Sequence, residues 1–169
     1  VDVIATDIDG DTATSSVAVS VSDDVPTAAD NSNTVTEGSS TTGNVLTDND
    51  NNNGVDVPGA DGYALPSGIV QIQTQDGSIV DTTTDLNGDL VIETALGTLT
   101  VDATTGEYSY VSKANSTNND TTDVFTYTIR DGDGDESTAT LTINIDNVGA
   151  DVSDNDVLVN EAGLPQGSD

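Results

Sequence analysis

Phe125-Thr126-Tyr127-Thr128-Ile129-Arg130 and Thr140-Leu141-Thr142-Ile143-Asn144-Ile145 flank an acidic knot, Asp131-Gly132-Asp133-Gly134-Asp135. In both flanks an apolar side chain alternates with a polar one. A period of two sends successive side chains to opposite faces of a strand, so each flank reads as a half-buried strand. Thr fills most of the polar positions, and its β-branched side chain suits a pleated surface. The stretch therefore predicts a hairpin of two strands whose tip carries three carboxylates.

The same pattern extends outward. Leu99 and Val101 lead through Thr104-Thr105-Gly106 to Tyr108 and Tyr110, a second hairpin. Residues 69–74, 78–82 and 90–95 are further strand candidates, and Asn87-Gly88 is a strong turn signal between two of them. Residues 47–62, rich in Asp, Asn and Gly, read as a long loop. No segment holds a helical period. Seven or more short strands in about 120 residues predict an all-β antiparallel sandwich. An odd number of up-and-down strands would put the two ends at opposite poles, so that tandem copies string into a rod.

A repeat organises the chain. Residues 7–38 align without a gap on 131–162. Asp7, Asp9, Gly10, Asp11 and Thr14 fall on Asp131, Asp133, Gly134, Asp135 and Thr138; Asp30, Asn31, Val35 and Glu37 fall on Asp154, Asn155, Val159 and Glu161. Strand parity is kept: Val17, Val19 and Val21 match Leu141, Ile143 and Ile145, and Val1, Val3 and Ala5 match Phe125, Tyr127 and Ile129. The register predicts that 1–22 is the C-terminal hairpin of a preceding repeat, 23–146 one complete repeat, and 147–169 the start of the next. Val1 falls in mid-strand, so a longer parent chain is expected.

Composition narrows the function. The 169 residues carry 31 Asp and Glu against 2 Lys and Arg, with no His, for a formal net charge of −29. Such a chain does not bind nucleic acid by neutralising phosphates and is repelled by anionic membranes. With 33% hydrophobic residues, one Phe and four Tyr, it lies close to the composition of disordered chains, and multivalent cations are the obvious remedy for its self-repulsion. There is no Cys, so neither a disulfide nor a thiolate site exists. No run is long enough for a transmembrane helix. Catalysis is disfavoured by the absence of His and Cys, and a sugar-processing cleft built on two carboxylates would need aromatic platforms, whereas Trp is absent.

The acids are grouped. Asp7, Asp9 and Asp11, and their copies Asp131, Asp133 and Asp135, place carboxylates at alternate positions around a Gly-permitted turn; Asp85-Leu86-Asn87-Gly88-Asp89 is a weaker cousin. Ca2+ accepts six to eight oxygens and tolerates this crowding, whereas bare carboxylates this close repel one another. The pattern is not an EF-hand: the twelfth positions are Ala18, Thr142 and Leu96, and Gly falls fourth instead of sixth. A second set lies at the repeat junctions: Asp23, Asp24, Asp30 and Glu37, then Asp146, Asp151, Asp154, Asp156 and Glu161. A cation held between the hairpin tip or linker of one repeat and the first strand of the next would stiffen the joint. A flexible acidic linker is the plain alternative. Asp48, Asp50 and Asp56 form a third possible group within the long loop.

Several segments in order, Leu96 to Asp102, Gly106 to Tyr110, Asp123 to Ile129, Asp131 to Asp135 and Thr138 to Ile143, resemble the VCBS and cadherin-like repeats of giant RTX adhesins. Gly43 to Asp50 is similar to the loop that opens such repeats, and Val159 to Pro165 resembles the start of a related repeat in type I secreted surface proteins. The resemblance implies Ig-like sandwiches that bind calcium and act as extenders. They hold a ligand-binding tip away from a cell-anchored end, outside a Gram-negative bacterium. It implies neighbouring repeats as partners, a monomeric chain, and no direct membrane contact. The competing expectation is a lectin-like or peptide-binding module, for which 47–68, with Tyr63, Leu65 and Pro66, is the plausible surface insertion.

Overall fold

The computed structural model describes residues 1–20, 23–50, 53–81 and 88–149. Its strands are β1 (Asp2–Thr6), β2 (Thr12–Ser16), β3 (Asn31–Thr36), β4 (Ser40–Asn44), β5 (Ile69–Thr74), β6 (Ile79–Asp81), β7 (Asp89–Glu93), β8 (Gly97–Asp102), β9 (Glu107–Ser112), β10 (Thr121–Arg130) and β11 (Glu136–Asp146). Strands β3 to β11 form two sheets, ordered β3-β11-β10-β5-β6 and β4-β9-β8-β7, while among the described residues β1 and β2 pair with each other alone. All pairings are antiparallel except β3 with β11, which run parallel.

The predicted hairpin is the spine of this sandwich. Phe125, Tyr127 and Ile129 of β10 and Leu141, Ile143 and Ile145 of β11 are buried, and they face Leu90, Ile92, Leu99, Val101, Tyr108 and Tyr110 of the other sheet. Tyr110 meets Phe125 edge-on, with ring centroids 6.0 Å apart and planes at 63°, the arrangement that ring quadrupoles favour. A thin apolar supply suffices because it is concentrated on two inner faces. Each fully buried aliphatic or aromatic side chain contributes roughly 1.5–3 kcal/mol.

The strand directions define two poles. The hairpin tip 131–135, the turn 103–106 and the loop 45–68 share one pole with the segment leading into β3. The loop 113–120, the turns after β3, β5 and β7, and the chain leaving β11 share the other. The chain thus enters and leaves the sandwich at opposite ends.

The repeat seen in sequence recurs as geometry. In the first hairpin Asp2 pairs with Ser16 and Thr6 with Thr12; shifted by the same offset, Thr126 pairs with Thr140 and Arg130 with Glu136. The apolar side chains of the first hairpin, among them Val3, Ile4 and Val17, are exposed.

Candidate metal centre at the hairpin tip

The two tips are built alike. The Asp131 amide donates to the Asp135 carbonyl at 3.0 Å, as the Asp7 amide does to Asp11. Asp131 Oδ1 accepts from the amides of Gly134 at 3.0 Å and Asp135 at 2.8 Å. Asp7 Oδ1 accepts from Gly10 at 3.1 Å and Asp11 at 2.9 Å. The turn needs left-handed backbone, with φ of 113° at Gly134 and 100° at Gly10, which Gly adopts without a Cβ penalty. The first Asp of each motif therefore folds the tip, and the next two project from it.

The tips differ in what covers them. Against the second lies the loop 59–63: the Gly132 amide donates to the Gly62 carbonyl at 3.0 Å, the Ala64 amide donates to the Arg130 carbonyl at 2.9 Å, and Tyr63 bridges to Asp131. This approach depends on Gly132, since a Cβ there would stand 2.8 Å from the Asp61 carbonyl oxygen. The counterpart in the first tip is Ile8, fully exposed.

Two overlapping acidic groups result. Asp131, Asp133 and Asp135 each offer an oxygen within 4.8 Å of the others, and so do Asp23, Asp61 and Asp133. Asp133 belongs to both. The first tip has the simple triplet Asp7, Asp9 and Asp11, all exposed. Asp131 is 1% exposed, and its Oδ2 is buried without a hydrogen-bond partner. Burial works against its charge, but hydrogen bonding to Asp133 and to the amides of Gly134 and Asp135 holds its pKa below the usual range. Asp133 is pushed up to about 6, first by its hydrogen bond with Asp131, then by desolvation and by the charges of Asp131, Asp23 and Asp135. Burial and the charges of Asp23 and Asp131 raise Asp135 too. Asp7 is lowered, chiefly by hydrogen bonding to Asp9. The covered tip thus gathers carboxylates from three chain segments, and one of them, Asp131, carries a buried oxygen without a hydrogen-bond partner. An all-oxygen set of this kind suits a hard cation.

The other junction acids go elsewhere. Asp24 Oδ2 accepts from the Ala60 amide at 3.0 Å, which pins the loop beside the tip, and Asp24 is not in the cluster. Asp30 Oδ1 accepts from the Thr140 amide at 2.8 Å and its hydroxyl at 2.9 Å. Glu37 lies beyond the far end of β3 from Asp23 and Asp24. Its Oε1 accepts from the amides of Ser116 at 2.5 Å and Thr117 at 3.0 Å. These bonds, that of Thr117 foremost, lower its pKa. Glu37 is therefore a staple for the loop 113–120.

The loop triplet also disperses. Asp48 Oδ2 holds the Asn44 amide at 2.7 Å, Asp50 Oδ2 the Ser32 amide at 3.0 Å, and Asp56 Oδ1 the Ala29 amide at 2.7 Å. Asp85 to Asn87 lie outside the described residues, as do Asp154, Asp156 and Glu161. Asp61 is the ligand candidate that sequence reasoning missed. The available signal was the mismatch between Ile8 and Gly132 inside otherwise matching tips, which marks a close approach at one tip alone.

A comparison with curated proteins finds no match to this chain. A family model described as the bacterial Ig domain matches residues 23–144, which take in both sheets and the covered tip. With the match spanning more than half of its length, the chain belongs to the bacterial Ig domain family.

Proposed function

We propose that this chain is a calcium-stabilised extender repeat of a large bacterial cell-surface adhesin, exported by a type I system and projecting a ligand-binding tip for attachment and biofilm formation. One complete repeat covers 23–146, preceded by the last hairpin of another and followed by the start of a third. The observation that carries this reading is the pair of overlapping acidic groups, Asp131, Asp133 and Asp135 with Asp23, Asp61 and Asp133, together with the buried, unpartnered Oδ2 of Asp131. It gathers the incoming linker, a loop and the terminal hairpin at one pole, and the chain leaves from the other. A cation there would fasten the linker to the body of its own repeat. The matched tip register at both hairpins supports a tandem array.

The reading is of a non-enzyme. Asp56 lines a surface hollow of about 350 Å³ and its pKa is raised to about 6 by burial, but its unpartnered Oδ2 is buried. Tyr63, the best candidate for a binding platform in 47–68, packs against the core and donates to the Asp56 carbonyl at 3.3 Å.

The test is thermal unfolding of the full chain by circular dichroism in chelator, in millimolar calcium, and in magnesium as control. The expected result is a calcium-specific rise in Tm. An identical Tm in all three would reduce the acids to surface charge and sink the calcium reading.

A further inference from the structure

Behind the covered tip lies a buried polar cluster with no part in the proposed cation site. Asn31 Nδ2 donates to the Val45 carbonyl at 2.8 Å, the Tyr127 hydroxyl at 3.0 Å and the Ala29 carbonyl at 3.1 Å. The Tyr127 hydroxyl reaches the Ala29 carbonyl at 2.7 Å, Asp56 Oδ1 at 3.1 Å and the Val45 carbonyl at 3.2 Å. The Ala29 amide donates to Asp56 Oδ1 at 2.7 Å. The available hydrogens are two on Asn31 Nδ2, one on Tyr127 and one on Ala29. The oxygens are those of Ala29, Val45 and Tyr127, Asn31 Oδ1, and both of Asp56. Four hydrogens serve six oxygens. The shortfall appears where it should: Asn31 Oδ1 and Asp56 Oδ2 are both buried and unpartnered.

Turning the Asn31 amide over would let its oxygen accept from the Tyr127 hydroxyl, but would set that oxygen against the carbonyls of Val45 and Ala29. No side-chain cation is on hand either. The chain has only two; Lys113 pairs with Glu93 and Arg130 with Glu136. The titratable groups that face the cluster are Tyr127 from β10, Tyr63 from the loop of Asp56 itself, and Asp30 from the segment before β3, whose charge reaches Tyr127. Burial and the charge of Asp56 push both tyrosines up, Tyr63 to about 12, so neither ionises near neutrality. All the facing charge is negative. A proton on Asp56 removes the buried charge and adds a donor to a cluster that is short of them.

We propose that Asp56, Asn31 and Tyr127 form a proton-operated latch: neutral Asp56 closes the 53–63 loop onto the segment leading into β3, and its ionisation loosens that joint. The joint is made by the two 2.8 Å backbone bonds between Thr27 and Val57 and by the Ala29–Asp56 bond, whose own preference for the charged carboxylate is outweighed by the burial of Asp56. The burial of Asp56, which raises its pKa to about 6, sets the working range. The sign follows from linkage: a carboxyl raised in the folded state contributes stability below its unfolded value, and that stability is lost as pH rises through the folded one. The latch is closed in mild acid and loosens through neutrality, independently of the tip acids.

The test is an NMR titration of the full chain in chelator from pH 4 to 8. It follows the Asp56 carboxyl carbon and the exchange protection of the Ala29, Thr27 and Val57 amides, corrected for intrinsic exchange. Asp56 is expected to titrate near pH 6, with protection falling at least several-fold through the same midpoint. Asp133 is also pushed up to about 6, first by its hydrogen bond with Asp131, so the deciding comparison is Asp56→Asn, which carries donors and no charge. Its protection should be high and flat with pH, while Asp133→Asn keeps the wild-type profile. An Asp56 midpoint below pH 4.5, or an unchanged profile in Asp56→Asn, overturns the latch. So does a midpoint that calcium lowers by more than a unit in both wild type and Asp131→Asn, because a cation at Asp56 would then be the neutralising partner.

Discussion

Replacing Asp131 by Asn separates the structural role of this residue from its proposed role as a ligand. Asn keeps Oδ1, so the bonds to the Gly134 and Asp135 amides survive. What changes is Oδ2, the buried oxygen without a partner. It becomes an amide donor, and one negative charge leaves a crowded tip. In chelator the variant should melt at or above the wild-type temperature. In calcium the order should reverse. At a hundredfold excess of calcium over Kd, binding to the folded state alone adds about 2.7 kcal/mol. For a domain of this size that is a Tm rise of roughly 10 °C. If the lost carboxylate weakens binding about a hundredfold, the same calcium leaves only RT ln 2, about 0.4 kcal/mol, or roughly 2 °C. Parallel melts with and without calcium read the difference directly. Equal destabilisation in both conditions would refute the reasoning, because it would make Asp131 a purely structural tip residue. So would a full calcium increment in the variant.

Three further outcomes are expected. Asp61→Ala should reduce the calcium-induced rise in Tm, whereas Asp24→Ala, which loses only its bond to the Ala60 amide, should keep calcium affinity by isothermal titration. Tyr110→Phe removes the hydroxyl that donates to Asp123 Oδ2 at 2.8 Å and should cost about 1–3 kcal/mol in denaturant unfolding, as buried Asp123 loses a donor. Glu37 is held below its usual pKa by the amides of Thr117 and Ser116; its contribution is present above the unfolded value and lost as pH falls through the folded one. Amide exchange at Ser116 and Thr117, corrected for intrinsic rates, should therefore accelerate in acid, and Glu37→Gln should abolish that dependence.

The elements legible in sequence were those whose own side chains alternate. Strands β10, β11, β8 and β9 are read from Phe125, Leu141, Leu99, Tyr108 and their neighbours, and the repeat from the tip acids. Strand β4, Ser40 to Asn44, carries no apolar residue; it is a strand because Thr41 and Gly43 pair with Tyr110 and Tyr108 of β9. The site was half legible for a similar reason. Asp131, Asp133 and Asp135 are local, so spacing finds them. Asp61 joins them only through tertiary approach over Gly132. Glu37 matched Glu161 at the repeat offset and so suggested a junction ligand, yet its partners are amides almost eighty residues away. Asp56 looked like one more loop acid because nothing local announces its burial.

The placement of the acids argues for where a cation would act. The chain cannot neutralise itself by pairing, since its two ion pairs are surface contacts of the kind worth at most about 1 kcal/mol each. The fold instead keeps charge off its strand interiors. The long strands β10 and β11 show Thr and Asn on their wet faces, and their acids sit at or near the ends, as in Asp123, Glu136 and Asp146. Neutral flanks and acidic poles mean that repulsion in a tandem array is focused on the joints, where the pole carrying Glu37 and Asp146 meets a tip pole like that of Asp131. Flank-to-flank contact between neighbouring molecules would bring together hydroxyls, whereas end-to-end contact brings together carboxylates. On the proposed function this makes the joint the most calcium-responsive part of the rod, so depletion of calcium should loosen the linker around Asp23 before it melts the two sheets.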